Sequence, residues 1–70
     1  MTPEQCRAAR GWLDKSQTEL AEAANVSLST VRDFEKRRRV PIGNNLTAIR
    51  GALERMGIEF TENGISGPAK

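Results

Sequence analysis

Apolar residues recur with a helical period in four stretches of this 70-residue chain. In the first, Cys6, Ala9, Arg10 and Leu13 fall at i, i+3, i+4 and i+7, the inner side of a predicted helix. Thr2 as N-cap, Pro3 at the first helical position and Gln5 three residues after the cap mark its start. Asp14 and Lys15 break the pattern. Ser16-Gln17-Thr18-Glu19 then forms a second capping box, in which Ser16 accepts from the Glu19 amide and the Glu19 side chain returns to Ser16. The second helix is short. It carries Leu20, Ala21 and Ala24 on one face and stops at Asn25, a residue that tolerates the positive φ of a tight helix-to-helix turn.

Ser27 caps a third helix with Val31 and Phe34 facing inward. At about 100° per residue, Ser29, Arg32, Asp33 and Lys36 line its opposite, polar side. Pro41 and Gly43 predict a loop, after which Asn44 or Asn45 opens a fourth helix with Leu46, Ile49, Leu53 and Met56 on one side and Gly57 as its stop. The segment Ile58-Glu59-Phe60-Thr61 alternates as a short strand does, and Glu62-Asn63-Gly64 is a turn signal. The pattern therefore predicts an all-α fold: a compact four- to five-helix domain spanning 1–61 with a short C-terminal strand, then 62–70 as a turn and a frayed tail.

Composition narrows what such a domain can do. A chain of this length buries only roughly 60% of the surface its unfolded form exposes, enough for one core and no second. The longest uncharged stretch, 40–49, is broken by Pro41, Gly43 and two asparagines, so no transmembrane span is expected, and the N-terminus does not read as a signal peptide. The expectation is a cytoplasmic protein. With one cysteine and no histidine, neither a disulfide, a zinc site nor imidazole catalysis is expected, and no nucleophile-base pair or cofactor loop is apparent. No catalytic residue, metal, cofactor or small-molecule ligand is assigned. Cys6 reads as a small buried hydrophobe. Trp12, the single tryptophan, reads as a packing residue at the end of the first helix.

The net charge is only +2, but it is unevenly spread. Residues 27–50 hold six basic residues and two acids, whereas each flank is negative by one. Arg37, Arg38 and Arg39 follow Lys36 directly, so one edge of the domain is strongly cationic, the distribution that a phosphate backbone attracts. Alone, such a run is more often a solvated loop.

Residues 17–36 change that balance. Two short helices joined by a three- to four-residue turn, with small Ala21 where they cross, describe a helix-turn-helix. Gln17, Ala21, Val26, Val31 and Phe34 stand where the phage-repressor and Cro-like (XRE) family places its characteristic residues, and this stretch closely resembles that family. Asn25 departs from it, where glycine is usual. The resemblance extends from about Thr2 to Phe60. It implies a lambda-repressor-like regulator of transcription, a repressor, that binds double-stranded DNA by inserting the 27–36 helix in the major groove and associates with the bacterial nucleoid when bound.

By the same resemblance, Ser27, Leu28, Ser29, Arg32, Asp33 and Lys36 match base-reading and groove-lining positions. Arg32 suits guanine, whose O6 and N7 accept its forked donors, and Leu28 suits a thymine methyl. Gln17, Arg38, Arg39 and the amides near Asn44 and Asn45 are expected to hold phosphates. Arg10 and Glu35 match a structural ion pair between the first and third helices. The family pairs two copies on DNA, and Ile58 and Phe60, on an otherwise unpaired edge strand, are the tentative homodimer contacts. The alternative is a small protein-interaction module, such as an antitoxin-like partner using the strand or the fourth helix. The arginine run beside a polar helix face argues for DNA.

Overall fold

The computed structural model describes residues 1–69. The chain forms helices α1 (Pro3–Leu13), α2 (Gln17–Ala24), α3 (Leu28–Glu35) and α4 (Gly43–Arg55), then strands β1 (Glu59–Phe60) and β2 (Ile65–Ser66).

Local chemistry starts and stops each of the first three helices. Thr2 Oγ1 accepts from the Gln5 amide at 3.1 Å while Gln5 Oε1 accepts from the Thr2 amide at 2.8 Å. Ser16 and Glu19 repeat this reciprocal pair at 3.0 and 2.9 Å. Each box satisfies N–H groups that an isolated helix end leaves without partners. Asp14 (φ 57°) and Asn25 (φ 56°) take the left-handed conformation at the ends of α1 and α2, where a short polar side chain lowers the steric cost.

α2 packs on both α3 and α4, and α1 packs on α3. The core contains Cys6, Ala9, Leu20, Ala21, Ala24, Val31, Phe34, Ile49, Ala52, Leu53 and Ile58. Fully burying each of the larger aliphatic side chains contributes about 1.5–3 kcal/mol. Ala21 and Ala24 keep α2 thin where it lies between its neighbours.

The fourth helix departs from expectation at its start, while Gly57 (φ 102°) follows its last turn as expected. It begins at Gly43 with Ile42 as N-cap and no side-chain cap, so neither asparagine opens it. Pro41 is buried, and the chain turns into the helix directly after that anchor. Asn44 and Asn45 lie inside the first turn, where the Asn45 N–H donates to the Ile42 carbonyl at 2.9 Å. Ala52 joins Ile49 and Leu53 in the core, while Leu46 and Met56 are only half-buried, because a globular helix presents a broad stripe to its neighbours rather than a single seam.

The C-terminal stretch corrects a further expectation. β1 is not an unpaired edge strand: Glu59 pairs with Ser66 and Phe60 with Ile65 in an antiparallel hairpin. Gln5 Nε2 holds its turn by donating to the carbonyls of Thr61 (2.7 Å) and Gly64 (2.9 Å), 56 and 59 residues away in the chain. Beyond β2, Trp12 Nε1 donates to the Pro68 carbonyl at 3.0 Å. A Cβ at Gly67 would sit 2.3 Å from that indole nitrogen, so the ring closes directly over a glycine backbone. Single turn signals do not show which distant side chain will hold a hairpin. The expected tail thus meets α1 at Pro68, and Lys70 lies outside the described residues.

Candidate nucleic-acid interface

The two helices of residues 17–36 are joined by a turn whose geometry follows from two residues. At Asn25 the backbone reverses, letting the Val26 N–H donate to the Ala21 carbonyl at 3.0 Å. Ser27 then starts α3. Its hydroxyl accepts from the Thr30 amide at 3.1 Å and bonds the hydroxyls of Thr30 (2.7 Å) and Ser29 (3.1 Å). Ser27 is therefore engaged as a cap.

The inner face of α3 carries Val31, Phe34 and Glu35, all buried. The outer face carries Ser29, Arg32 and Lys36, all exposed, with Leu28 and Asp33 half-buried at its margins. One helix thus separates anchoring from presentation.

Glu35 fixes this helix to its neighbours. Only 3% exposed, its carboxylate accepts from Arg10 Nε (2.7 Å) and Nη2 (2.6 Å), from Gln17 Nε2 (2.9 Å) and from Cys6 Sγ (3.2 Å). Its backbone carbonyl accepts from Arg7. One side chain therefore joins α1, α2 and α3. Burial pushes the Glu35 pKa up, but the hydrogen bonds from Arg10, Gln17 and Cys6, with the Arg10 charge, outweigh it and hold the group below the usual carboxylate range. The same environment raises the Cys6 thiol well above its ordinary value, first through burial and then through Glu35, which makes it a poor nucleophile.

Gln17, expected to hold a phosphate, donates its amide nitrogen to Glu35, because a buried carboxylate lies within reach of the first residue of α2. One sequence assignment changes in this setting. Ile58, expected at a dimer contact, is 2% exposed and packed in the core, with its N–H donating to the Leu53 carbonyl at 3.1 Å. Alternation in a short strand does not reveal which side the chain's own helices cover. Phe60 is half-buried, with the Arg50 guanidinium 5.1 Å from its ring centroid.

The arginine run is divided by its backbone. Arg37 (φ 60°) turns back toward α1, where its guanidinium clasps Glu4 at 2.6 and 2.8 Å. The hydrogen bond from Arg37 holds the Glu4 carboxyl below its ordinary pKa. Arg38 and Arg39 are exposed and, among the described residues, form no ion pair; the same is true of Arg32 and Lys36. A cleft between α3 and this loop is lined by Ser29, Thr30 and Asp33 on one side and Arg39, Val40, Pro41, Ile42 and Asn45 on the other. Asn44 is exposed at the uncapped start of α4.

Sequence reasoning missed the Glu4–Arg37 clasp and the Arg7 contact to α3. Arg7 lies one turn from Glu4, a spacing that signals a surface pair but gives no indication of the loop that reaches them.

A short helix, a tight turn and a second helix with a buried inner and a polar outer face define a helix-turn-helix domain. A family model described as helix-turn-helix matches residues 7–55, more than two-thirds of the chain. The chain belongs to that family, and it is a Cro- and phage-repressor-like regulator of the XRE type. No curated protein matches the chain. The family is one of DNA-binding regulators of transcription. No helix among the described residues is long and apolar enough to cross a membrane.

Proposed function

We propose that this protein is a sequence-specific repressor that lays α3 in the major groove of double-stranded DNA. The observation that carries this reading is the outer face of α3: Ser29, Arg32 and Lys36 project to solvent from a helix held at Glu35 by two others, with Arg38 and Arg39 beside it. A helix fixed from behind and polar in front presents its donors without first having to order them, and that preorganisation favours binding.

The roles follow from reach. Arg32, in the middle of the face, offers a forked donor to guanine, and Leu28 meets a thymine methyl. Ser29, Asp33 and Lys36 line the groove, with Ser27 contributing chiefly as the cap. Arg38 and Arg39 take phosphates on one flank. The amides near Asn44 and Asn45 take them beyond the loop, and Gln17, with the backbone N–H groups at the start of α2, on the other flank. One helix reads only a few base pairs, so two copies act together on half-sites about one helical turn apart, with Phe60 the proposed contact. Occupying the groove excludes other proteins from the same base pairs, which is repression in its simplest form.

Selection of bound duplexes from a random pool, followed by affinity measurement across a salt series, tests this. The expected result is a repeated half-site and a log affinity that falls linearly with log salt by several units. Absence of duplex binding at low salt, or binding indifferent to salt, overturns it.

A further inference from the structure

The loop between α3 and α4 carries two large aliphatic side chains in open solvent. Val40 is 80% exposed and Ile42 68%, while Pro41 between them is buried. The proline anchors the loop, and its neighbours point outward from a backbone that is already fixed: Ile42 is the N-cap of α4, at φ −61° and ψ 154°. Water around two neighbouring branched side chains is unfavourable, and the described residues leave most of their surface uncovered.

Their surroundings identify what does. Exposed Arg38 and Arg39 precede Val40, and the uncapped first turn of α4 follows Ile42. The side chains themselves form one wall of the cleft whose other wall is the outer side of α3. Along this loop, then, the order is cationic, apolar, and again positive in potential. A nucleic-acid strand has the complementary order, since each deoxyribose presents a C–H face between two phosphates. A second protein surface would have to place anions at both ends of an apolar patch, whereas a DNA strand does so at every nucleotide.

We propose that Val40 and Ile42 close on the deoxyribose faces of the strand bordering the groove that α3 reads, with Arg38, Arg39 and the start of α4 on the flanking phosphates. The contact supplies a component of affinity that is insensitive to salt and indifferent to sequence. The proposal rests on the DNA-binding reading above and adds to it which surface beside the reading helix is apolar by design.

The test compares the wild-type chain with the double variant V40S/I42S and with R39A, each titrated with one synthetic duplex of arbitrary sequence over a salt series. Losing the half-covered aliphatic pair should weaken binding about tenfold at every salt concentration. The salt slope should remain that of the wild type, and so should the melting temperature, since neither side chain is packed. R39A should instead lower the slope by about one unit. Unchanged affinity in V40S/I42S overturns the proposal while leaving the DNA-binding reading intact, as does a loss accompanied by a shallower slope. A wild-type chain that sediments as a dimer without DNA, and as a monomer when V40S/I42S is introduced, assigns the patch to a second copy and likewise overturns it. If the wild-type chain binds no duplex at low salt, the DNA-binding reading itself fails and this proposal fails with it.

Discussion

Arg10→Met tests whether the Glu35 network holds the domain together. The substitution keeps most of the aliphatic volume of the side chain and removes both guanidinium bonds, at 2.7 and 2.6 Å, from a carboxylate that is 3% exposed. Removing one partner of a buried pair costs about 3–5 kcal/mol, since the remaining charge has neither water nor counterion. Two features reduce that figure here. Gln17 and Cys6 still donate to Glu35, and the Arg10 side chain is 19% exposed, so some of its attraction is already screened. The expected loss is about 2–3 kcal/mol. For a domain of this size that lowers Tm by roughly 10–20 °C, measured by the helical circular dichroism signal on heating.

The pH dependence gives a sharper check, because its sign should reverse. In the wild type the folded pKa of Glu35 lies below the unfolded value, so its stabilisation is present above about pH 4.3 and disappears as the pH falls through the lower folded value. Without Arg10, burial dominates and the folded pKa rises above the unfolded one. Acidification through that raised value should then recover stability relative to neutral pH. The double variant Arg10→Met, Glu35→Met, which removes the buried charge as well, should be more stable than Arg10→Met alone. A change below about 0.5 kcal/mol in Arg10→Met, or an acid limb parallel to that of the wild type, would refute the reasoning.

Arg32→Ala should cost about 1–3 kcal/mol on the preferred DNA site and flatten the preference at one or two base pairs, whereas Arg38→Ala should weaken preferred and random duplexes alike and lower the salt slope by about one unit. The opposite pattern in competition binding would move base reading from α3 to the loop. Gly67→Ala places a methyl 2.3 Å from Trp12 Nε1, so either the indole or the tail must move; tryptophan emission should shift to the red, and an unshifted spectrum would show that the contact yields. Asn25→Gly relieves a positive φ of 56° at the end of α2 and should raise stability by up to about 1 kcal/mol in urea unfolding, while Asn25→Ala should lower it.

How much of this was legible in the sequence depended on how local its cause was. Thr2, Ser16 and Ser27 cap their helices as the sequence alone suggests, because an N-cap bond spans three residues and needs no other element. Asn25 was readable for the same reason. The inward and outward faces of α3 followed from its period. What could not be read was anything decided by a partner far along the chain. Gln17 shows no sign in the sequence that its amide also reaches Glu35, 18 residues later. Ile58 looks like an edge residue until it is found 2% exposed in the core, and nothing local shows that Gln5 and Trp12 donate to the carbonyls of Thr61, Gly64 and Pro68. The fourth helix failed at its start because its entry is set by the burial of Pro41, which no side-chain cap announces.

The division of α3 into a buried and a solvent-facing half bears on how such a protein acquires new targets. Val31, Phe34 and Glu35 are buried against the rest of the domain, and Ser29, Arg32 and Lys36 are exposed. Substitutions at the outer positions therefore leave folding nearly untouched and, on the proposed reading, alter which groove pattern the helix complements. If α3 reads bases as proposed, a lineage can exchange three side chains, keep the same 70-residue chassis, and move to another operator without passing through an unstable intermediate.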